Sequence, residues 1–271
     1  MCGISGWFKT GNDTIFTQKV FDSVFKEIES RGNHASGVAC LSHDKVRILK
    51  DAVPTSKLIK YKSYKRTISN PDIIIGHARF ATHGSCKDNK NNHPHYTADM
   101  RYVLIHNGVV SDVVPDVETE SECDSEILLR LIERYGIKEG FKHIAKLSNS
   151  SYAIMLIDTK TGSLYVFRNT SPALWYDATF ETGGILFAST KELLLKGIKK
   201  AGLKSYMKSN LHEIKAGTLY KWSDKNKIPV TWATKLAPQI AVRDWRSFKN
   251  NEYLETHYND YYTNFYNSKY N

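Results

Sequence analysis

The sequence has 271 residues, of which 41% are hydrophobic and 24% charged, a composition that fits a globular protein with a core. No apolar run approaches the roughly 20 residues of a membrane span, and no basic stretch followed by an apolar one marks a secretory signal. The net charge of +10 is concentrated in residues 42–66 and 191–227, which carry no nucleic-acid-binding motif, so we expect a lysine-rich surface rather than nucleic-acid binding.

In the first half of the chain, small and apolar side chains alternate over residues 2–8 and predict a buried strand. Apolar residues then recur at three- and four-residue spacing from Val20 to Ile28, which predicts an amphipathic helix ending near Gly32. A turn at 42–45 separates two short apolar runs and predicts a hairpin. The strands predicted in this half are 2–8, 38–41, 46–49, 73–80 and 102–108, with a polar loop at about 84–99.

In the second half, helical spacing of apolar residues predicts a helix over 124–135, with Gly136 as its C-cap, and a shorter helix at about 137–146. The remaining predicted elements are strands at 152–157, 164–167, 173–177 and 185–189, a basic helix at 191–200, and a strand pair within 211–222. Strands in consecutive hairpins with grouped helices favour an antiparallel α+β domain over a parallel βαβ fold.

We predict one domain over residues 2–248, because neither an internal repeat nor a linker divides residues 1–222. Residues 249–271 differ in composition, with six Tyr, six Asn and few aliphatic residues. Three interpretations stay open for this Tyr/Asn-rich tail: a loosely ordered segment, a partner-binding segment, or a segment packed onto the domain by its tyrosines.

Cys2 becomes chemically unusual once Met1 is removed, because its thiol and a free α-amine then lie on one residue. The amine can take the thiol's proton directly or through one water. The unperturbed pKa values of the two groups, about 8.5 and about 7.7–8.0, are close to physiological pH, where proton transfer is efficient. The alternative is that Cys2 is an ordinary small residue entering a buried strand.

Four further polar stretches are candidate site segments. They are RGNHASG at 31–37, GHARFATHG at 76–84, HNG at 106–108 and SECD at 121–124. Amide hydrolysis by a thiol requires fixed donors for a tetrahedral oxyanion, and an Asn side chain with a Gly N–H supplies two. Arg79 offers a forked guanidinium to an α-carboxylate, and Asp124 offers a carboxylate to an α-ammonium.

Each stretch, taken alone, also has an ordinary structural interpretation. Asn107-Gly108 is a turn sequence, Asp124 is a suitable N-cap, and an arginine such as Arg79 is usually a surface residue on a strand. A catalytic site is favoured because all of these stretches occur, one after another, in the same sequence.

Together these residues resemble the glutaminase domain of class II glutamine amidotransferases, which are N-terminal-nucleophile (Ntn) hydrolases. The resemblance is greatest to the glutaminase half of glutamine–fructose-6-phosphate aminotransferase. It rests on the segments Cys2-Gly3-Ile4, 76–84, Asn92-His93-Pro94-His95, 106–108 and Asp124 within SECDSE, which follow the family's order over residues 1–222.

The resemblance implies a four-layer αββα sandwich of antiparallel sheets, with Cys2 at the end of a strand. In that family pattern Cys2 is the nucleophile and its α-amine is the base, while Asn107 and Gly108 form the oxyanion hole. Arg31 would position the N-terminal residue, and His106 would support the same site.

The substrate implied by the resemblance is L-glutamine. Arg79, with help from Thr82 and His83, would bind its α-carboxylate, and Asp124 would bind its α-ammonium. The chain departs from the family pattern at His34, where an acidic residue is usual, and at Asp112, where Asn is usual.

Members of this family usually continue into a synthase domain of several hundred residues, whereas residues 223–271 of this sequence are too few to form one. We therefore expect a stand-alone glutaminase, which hydrolyses L-glutamine to L-glutamate and ammonia and passes the ammonia to a separate synthetase. One alternative is an Ntn amidase acting on another small amide, against which the pair of Arg79 and Asp124 argues. Another is a non-catalytic glutamine-binding or regulatory module, which would bind glutamine without forming a thioester.

We predict no cofactor and no metal site, because the histidines lack convincing ligand spacing. His93 and His95 flank Pro94 and leave metal binding open as an alternative, although a role in loop structure is favoured. The four cysteines show no CxxC spacing and are interpreted as reduced thiols of a cytoplasmic protein.

Overall fold

A computed structural model describes residues 1–10, 16, 18–177, 184–203, 211–223 and 230–233. The Tyr/Asn-rich tail predicted at 249–271, and with it the predicted domain boundary at 248, lie outside the described residues. None of the helices in the described part of the chain has the length and apolarity needed to cross a bilayer.

Thirteen strands lie in the described part of the chain and form two sheets. In chain order they are β1 (Gly3–Phe8), β2 (Ala35–Ser42), β3 (Lys45–Asp51), β4 (Ile73–Arg79), β5 (His95–Tyr96), β6 (Tyr102–Val109), β7 (Ser151–Asp158), β8 (Ser163–Arg168), β9 (Trp175–Asp177), β10 (Ile185–Ala188), β11 (Leu211–Glu213), β12 (Thr218–Trp222) and β13 (Val230–Ala233). One sheet has seven strands in the order β11-β9-β10-β1-β4-β2-β3, and the other has six in the order β13-β12-β8-β7-β6-β5.

Helices cover the outer face of each sheet. In chain order the α-helices of the described residues are α1 (Gln18–Glu27), α2 (Thr55–Leu58), α3 (Lys62–Thr67), α4 (Ser125–Ala145) and α5 (Lys191–Lys200). Short 3-10 turns span Ile28–Arg31 and Asn89–Asn91.

Three apolar clusters show how the layers are stacked. The first joins α1, α2, α3 and α5 to the seven-stranded sheet, and Phe25 lies in it. The second fills the space between the two sheets and contains Ile4 and Met155, while the third joins α4 to the six-stranded sheet around Phe141. The layers are therefore helix, sheet, sheet and helix, which confirms the predicted four-layer αββα sandwich of antiparallel sheets.

The alternation of side chains along β4 explains why that strand is apolar almost throughout. Ile73 and Ile75 point between the sheets, whereas Ile74 and Ala78 point toward the helices, because successive strand residues face opposite sides. A strand buried on both faces carries apolar residues on both. Arg79, at the end of β4, lies on the same face of the strand as Ile73 and Ile75, because alternate strand residues share a face.

One predicted element differs from the structure, and two short helices were not predicted. The predicted strand pair within 211–222 is wrong as a pair, because β11 joins the seven-stranded sheet while β12 joins the other. Helices α2 and α3 were not predicted; each is only four to six residues long, too short for apolar spacing to reveal it. Gly136 separates two helical segments with φ of +73°, as expected of a helix-ending glycine.

Candidate active site

The candidate site lies where one strand begins and two others end. Cys2 immediately precedes β1, Arg79 ends β4, and Asn107 and Gly108 lie near the end of β6. β1 and β4 are antiparallel neighbours, with Gly3 opposite Ala78. The register therefore places Cys2 beside the end of β4.

One hydrogen bond connects the two sheets behind the site. The Nε2 of His77 on β4 donates to the carbonyl oxygen of His106 on β6 at 3.0 Å. Because His106 directly precedes Asn107, this bond sets the position of the Asn107 backbone relative to β4. His77 belongs to the 76–84 motif, but sequence reasoning assigned it no role.

Cys2 is held by contacts to its thiol and to its backbone. The Phe80 N–H donates to the Cys2 Sγ at 3.3 Å, and the same Sγ lies 3.5 Å from the Phe80 carbonyl oxygen. The Nε of Arg31 donates to the Cys2 carbonyl oxygen at 2.8 Å. The sequence-predicted Arg31 thus contacts the residue that it was expected to position.

Burial raises the pKa of the Cys2 thiol. The Phe80 N–H, the N-terminal ammonium and the Arg79 guanidinium each act in the opposite direction, because each stabilises the thiolate. In the structure Met1 precedes Cys2 and is 72% exposed, so the amine that acts on the thiol belongs to Met1. Removal of Met1 transfers that amine to Cys2 itself.

Asn107 is fully buried, and neither its Oδ1 nor its Nδ2 has a hydrogen-bond partner among the described residues. A buried amide without partners destabilises a fold by about 1–3 kcal/mol, so such groups are concentrated where function requires them. Asn107 belongs to β6, on the face that carries the inter-sheet residues Val103 and Ile105. Its side-chain amide thus lies between the sheets, near the end of β6.

Gly108 has φ of +145°, a backbone conformation that glycine adopts and other residues rarely do. A Cβ at this position would lie 1.9 Å from the Ser151 carbonyl oxygen. Both the conformation and the close approach of β7 therefore require glycine here. The sequence-predicted pair Asn107-Gly108 lies in a strand ending rather than in a two-residue turn.

His106 supports β6 from its helix-facing side. Its Nε2 lies 3.2 Å from the Ser151 carbonyl oxygen and its Nδ1 lies 2.8 Å from the Ser125 Oγ. A carbonyl only accepts, so Nε2 carries the proton and Nδ1 accepts from the Ser125 hydroxyl. His106 thereby connects β6 to the start of α4.

Arg79 is 3% exposed, and protein groups orient its guanidinium. It donates to the Asn92 Oδ1 at 2.9 Å, to the Gly84 carbonyl oxygen at 3.0 Å and to the His83 carbonyl oxygen. These contacts use three of the five N–H donors of an arginine side chain. Asn92, to which sequence reasoning assigned no role, is the residue that fixes the direction of Arg79.

Asp124 lies at the start of α4, yet its side chain makes no capping bond to the helix. Its Oδ2 accepts instead from the Val110 N–H at 2.6 Å. Val110 follows Gly108 by two residues, so the carboxylate is tied to the chain that leaves the strand end. The contacts of Asp124 therefore do not support the interpretation of this residue as a helix N-cap.

Thr82 and His83 follow β4 in a loop, and both side chains are exposed. Of these two predicted residues, only the His83 backbone contacts Arg79.

His34, which departs from the family pattern, contacts the residues that directly follow β4. Its Nδ1 accepts from the Ala81 N–H at 3.0 Å, and its ring stacks on Phe80 with centroids 4.8 Å apart. Phe80 contacts the Cys2 thiol, so His34 positions a group that touches Cys2. The other departure, Asp112, accepts a hydrogen bond from the Oγ of the buried Ser150 at 2.6 Å.

Three histidine rings are stacked in a row behind the strand ends, and His106 is buried nearby on β6. The rings of His77 and His93 stack with centroids 4.0 Å apart, and His93 meets His95 edge-on at 4.6 Å. Burial lowers the pKa of His77 and of His93 well below the ordinary value, lowers that of His95 to about 3, and also lowers that of His106. These imidazoles are therefore neutral at physiological pH.

Comparison with known proteins gives a family match and several similar proteins. A family profile described as a glutamine amidotransferase domain matches residues 63–239. The glutamine–fructose-6-phosphate aminotransferase (isomerizing) of Halalkalibacterium halodurans is 31% identical over 189 residues, which cover 64% of this chain and 30% of that enzyme. The chain thus spans less than a third of the length of this curated relative.

Two solved structures share the fold. The glutamine phosphoribosylpyrophosphate amidotransferase of B. subtilis superposes with a TM-score of 0.60 at 15% identity, over 86% of this chain and 49% of that one. A glutamine aminotransferase class-II domain protein from Silicibacter pomeroyi superposes with a TM-score of 0.54 at 14% identity, over 88% of this chain and 100% of that one. At these identities the likeness concerns the fold alone.

Proposed function

This chain belongs to the class II glutamine amidotransferases, and from that premise we propose that it hydrolyses L-glutamine to L-glutamate and ammonia through a thioester on Cys2. The observation that carries the proposal is the buried amide of Asn107, which has no partner among the described residues and lies at the strand ends where Cys2 also lies. An amide kept without a partner suits a donor reserved for a reacting oxygen.

The reaction begins once Met1 has been removed. The α-amine of Cys2 takes the thiol's proton, and the sulfur attacks the side-chain carbonyl carbon of glutamine. The Nδ2 of Asn107 and the N–H of Gly108 hold the resulting oxyanion. The protonated amine then gives its proton to the departing nitrogen, and ammonia leaves.

The second half of the reaction regenerates the enzyme. Water attacks the carbonyl carbon of the thioester on Cys2, and the α-amine takes a proton from that water. The carbon–sulfur bond breaks, the proton returns to the sulfur, and L-glutamate is released.

Two charged residues bind the amino-acid end of the substrate. The remaining N–H donors of Arg79 bind the α-carboxylate, for which a planar guanidinium is well suited. Asp124 binds the α-ammonium through the carboxylate that the Val110 N–H already orients. Thr82 and His83 complete the carboxylate site when the exposed loop that carries them closes on the substrate.

A direct test follows glutamate release from glutamine by the purified protein, beside Cys2→Ala and the matched Cys86→Ala variant. We expect release by the wild type and by Cys86→Ala, and none by Cys2→Ala. Equal release by all three proteins would remove Cys2 from the mechanism. A panel of small amides tests the alternative amidase, and glutamine binding without thioester formation by the wild type would support the non-catalytic module.

We propose further that the domain, residues 2–248, acts as a separate subunit that passes ammonia to a synthetase, with the Tyr/Asn-rich tail as a candidate docking segment. We place the reaction in the cytoplasm, where a nucleophilic thiol stays reduced. Purification of the endogenous protein with any bound partner, identified by mass spectrometry, tests this assignment.

A further inference from the structure

A second group of chemically reactive side chains lies behind the strand ends. His93 precedes β5, His95 begins it, and Cys123 lies just before α4. One potential ligand atom from each of the three residues lies within 4.8 Å of the others. The exposed fractions of His93, His95 and Cys123 are 3%, 5% and 4%.

The hydrogen bonding of this group is incomplete. Within the described part of the chain, neither ring nitrogen of His93 has a partner, and the Nε2 of His95 has none. The Cys123 Sγ lies 3.8 Å from the Asp124 Oδ1 and also interacts with Ser125. Buried polar atoms are normally satisfied, so three unused nitrogens beside a thiol require an explanation.

Ring stacking does not obstruct these nitrogens. His93 stacks face-on against His77, and its lone pairs lie in the ring plane, away from the stacked face. One imidazole nitrogen from each histidine and one thiolate sulfur are the donor types that zinc prefers. We propose that His93, His95 and Cys123 bind a zinc ion, with a water molecule in the fourth position.

The proposed site requires a modest contraction. Zinc lies about 2.0–2.3 Å from nitrogen and sulfur ligands, so tetrahedral ligand atoms are about 3.3–3.8 Å apart. The separations of up to 4.8 Å must therefore close by as much as about 1.5 Å when zinc binds.

Both cations and anions surround the proposed site. Lys50 donates to two carbonyl oxygens of the loop, at 2.7 and 3.1 Å, but its positive charge also acts on His95. Glu126, in the first turn of α4, acts on His95 in the opposite direction, although its carboxylate is paired with Arg130 at 2.7 Å. Cys123 supplies one negative charge when its proton leaves for solvent on zinc binding, and this charge favours a metal cation.

A metal here would join the two segments that carry the substrate-binding residues. His93 follows Asn92, whose Oδ1 accepts from Arg79. Cys123 precedes Asp124, whose carboxylate is tied to Val110. Zinc would thus act as a positioning element that links the loop behind Arg79 to the start of α4. Sequence spacing alone did not reveal this set, since Cys123 is 28 residues from His95.

The experiment measures metal content directly and does not depend on glutaminase activity. The full chain is incubated with zinc, passed through gel filtration and analysed for metal, together with Cys123→Ser, the matched control Cys86→Ser and Cys2→Ser. We expect about one zinc per chain in the wild type, Cys86→Ser and Cys2→Ser, and a loss of at least about tenfold in Cys123→Ser. Replacement by Co²⁺ should give a thiolate charge-transfer band that only Cys123→Ser lacks.

The outcomes separate the possible sites. Zinc content below about 0.1 per chain in the wild type, or equal content in the wild type and Cys123→Ser, would overturn the proposal. Loss of zinc in Cys2→Ser alone would also overturn it and assign the metal to the nucleophile. If Cys123→Ser does not fold, as judged by circular dichroism, His93→Gln takes its place with the same expected loss.

Discussion

The Phe80 N–H donates to the Cys2 Sγ at 3.3 Å, so the residue that follows Arg79 touches the thiol. The register of β1 against β4, with Gly3 opposite Ala78, produces this contact. A single strand end therefore sets the position of both the proposed nucleophile and the proposed carboxylate-binding guanidinium.

Blocking the N-terminus should abolish activity. A chain with one extra residue between Met1 and Cys2 keeps the thiol but has no α-amine on Cys2, so it lacks the proposed base. We expect glutaminase activity to fall by at least about 10²-fold, the lower end of what a positioned base contributes.

The control for this prediction places a protease site directly before Cys2. Cleavage leaves Cys2 as the first residue, verified by intact mass, and should restore wild-type activity. Full activity of the blocked chain before cleavage would contradict the assignment of the amine as base.

Asn107→Ala should reduce turnover much more than stability. Loss of one oxyanion donor lowers kcat by about 10²–10³-fold. The unpartnered buried amide already disfavours the folded state, so its removal should change the free energy of unfolding by less than about 1 kcal/mol. Steady-state kinetics and urea unfolding measure the two effects.

The exposed Asn149 provides the control for this comparison, and Asn149→Ala should leave kcat unchanged. A large loss of stability in Asn107→Ala with unaltered kcat would identify Asn107 as a structural residue.

Gly108→Ala should destabilise the fold and abolish activity. The φ of +145° disfavours any residue with a Cβ, and that Cβ would overlap the Ser151 carbonyl oxygen. We expect a loss of more than about 2 kcal/mol in the free energy of unfolding. Gly162→Ala is the matched control, since its φ is +59° and a Cβ there would have no atom within 4 Å. The Gly162→Ala variant should lose only about 1 kcal/mol in its free energy of unfolding.

Asp124→Asn should weaken glutamine binding selectively. Asparagine can still accept from the Val110 N–H, so the local structure persists while the charge is lost. An unpaired ammonium weakens the binding free energy of glutamine by about 2 kcal/mol or more, which corresponds to a KM at least about 30-fold higher. Steady-state kinetics with glutamine measure this increase.

Glutaramic acid, which is glutamine without its α-amine, provides the discriminating substrate for this prediction. The wild type should use it poorly, whereas Asp124→Asn should no longer distinguish it from glutamine. A variant that still prefers glutamine strongly would exclude Asp124 as the ammonium site.

The pH dependence of kcat/KM should show an acid limb set by the α-amine. Only the neutral amine accepts a proton, and its unperturbed pKa is about 7.7–8.0, so kcat/KM should fall about tenfold per pH unit below that range. Burial raises the pKa of the Cys2 thiol, so the thiol stays protonated in this pH range. The acid limb of the profile therefore reports the titration of the α-amine. The buried histidines titrate at lower pH, since burial lowers their pKa values. A profile flat from about pH 6 to 9 would contradict this assignment.

Most strands and the longer helices could be predicted from the sequence, because burial imposes a period on the side chains. Residues 73–75 show this clearly, since a strand buried on both faces is apolar at successive positions. The break at Gly136 was predicted for a similar local reason, as glycine readily adopts positive φ. Short elements such as α2 and α3 contain too few residues for a period to show.

The residue types of the candidate site were likewise accessible from sequence, because thiol chemistry, oxyanion binding and amino-acid binding each require particular groups. Cys2, Arg79, Asn107, Gly108 and Asp124 were selected on those grounds and by resemblance to a family. What remained hidden was how each is held, for example the bond from the Asn92 side chain to Arg79 across 13 residues.

The sequence by itself thus determined the periodic elements, the fold class and the chemical inventory, since these depend on local composition and order. Only the tertiary structure decided that β11 and β12 belong to different sheets, that His77 bridges β4 to His106, and that Cys123 lies beside His93 and His95. Those relationships join residues distant in the chain. They arise from strand order and layer packing, which no local pattern records.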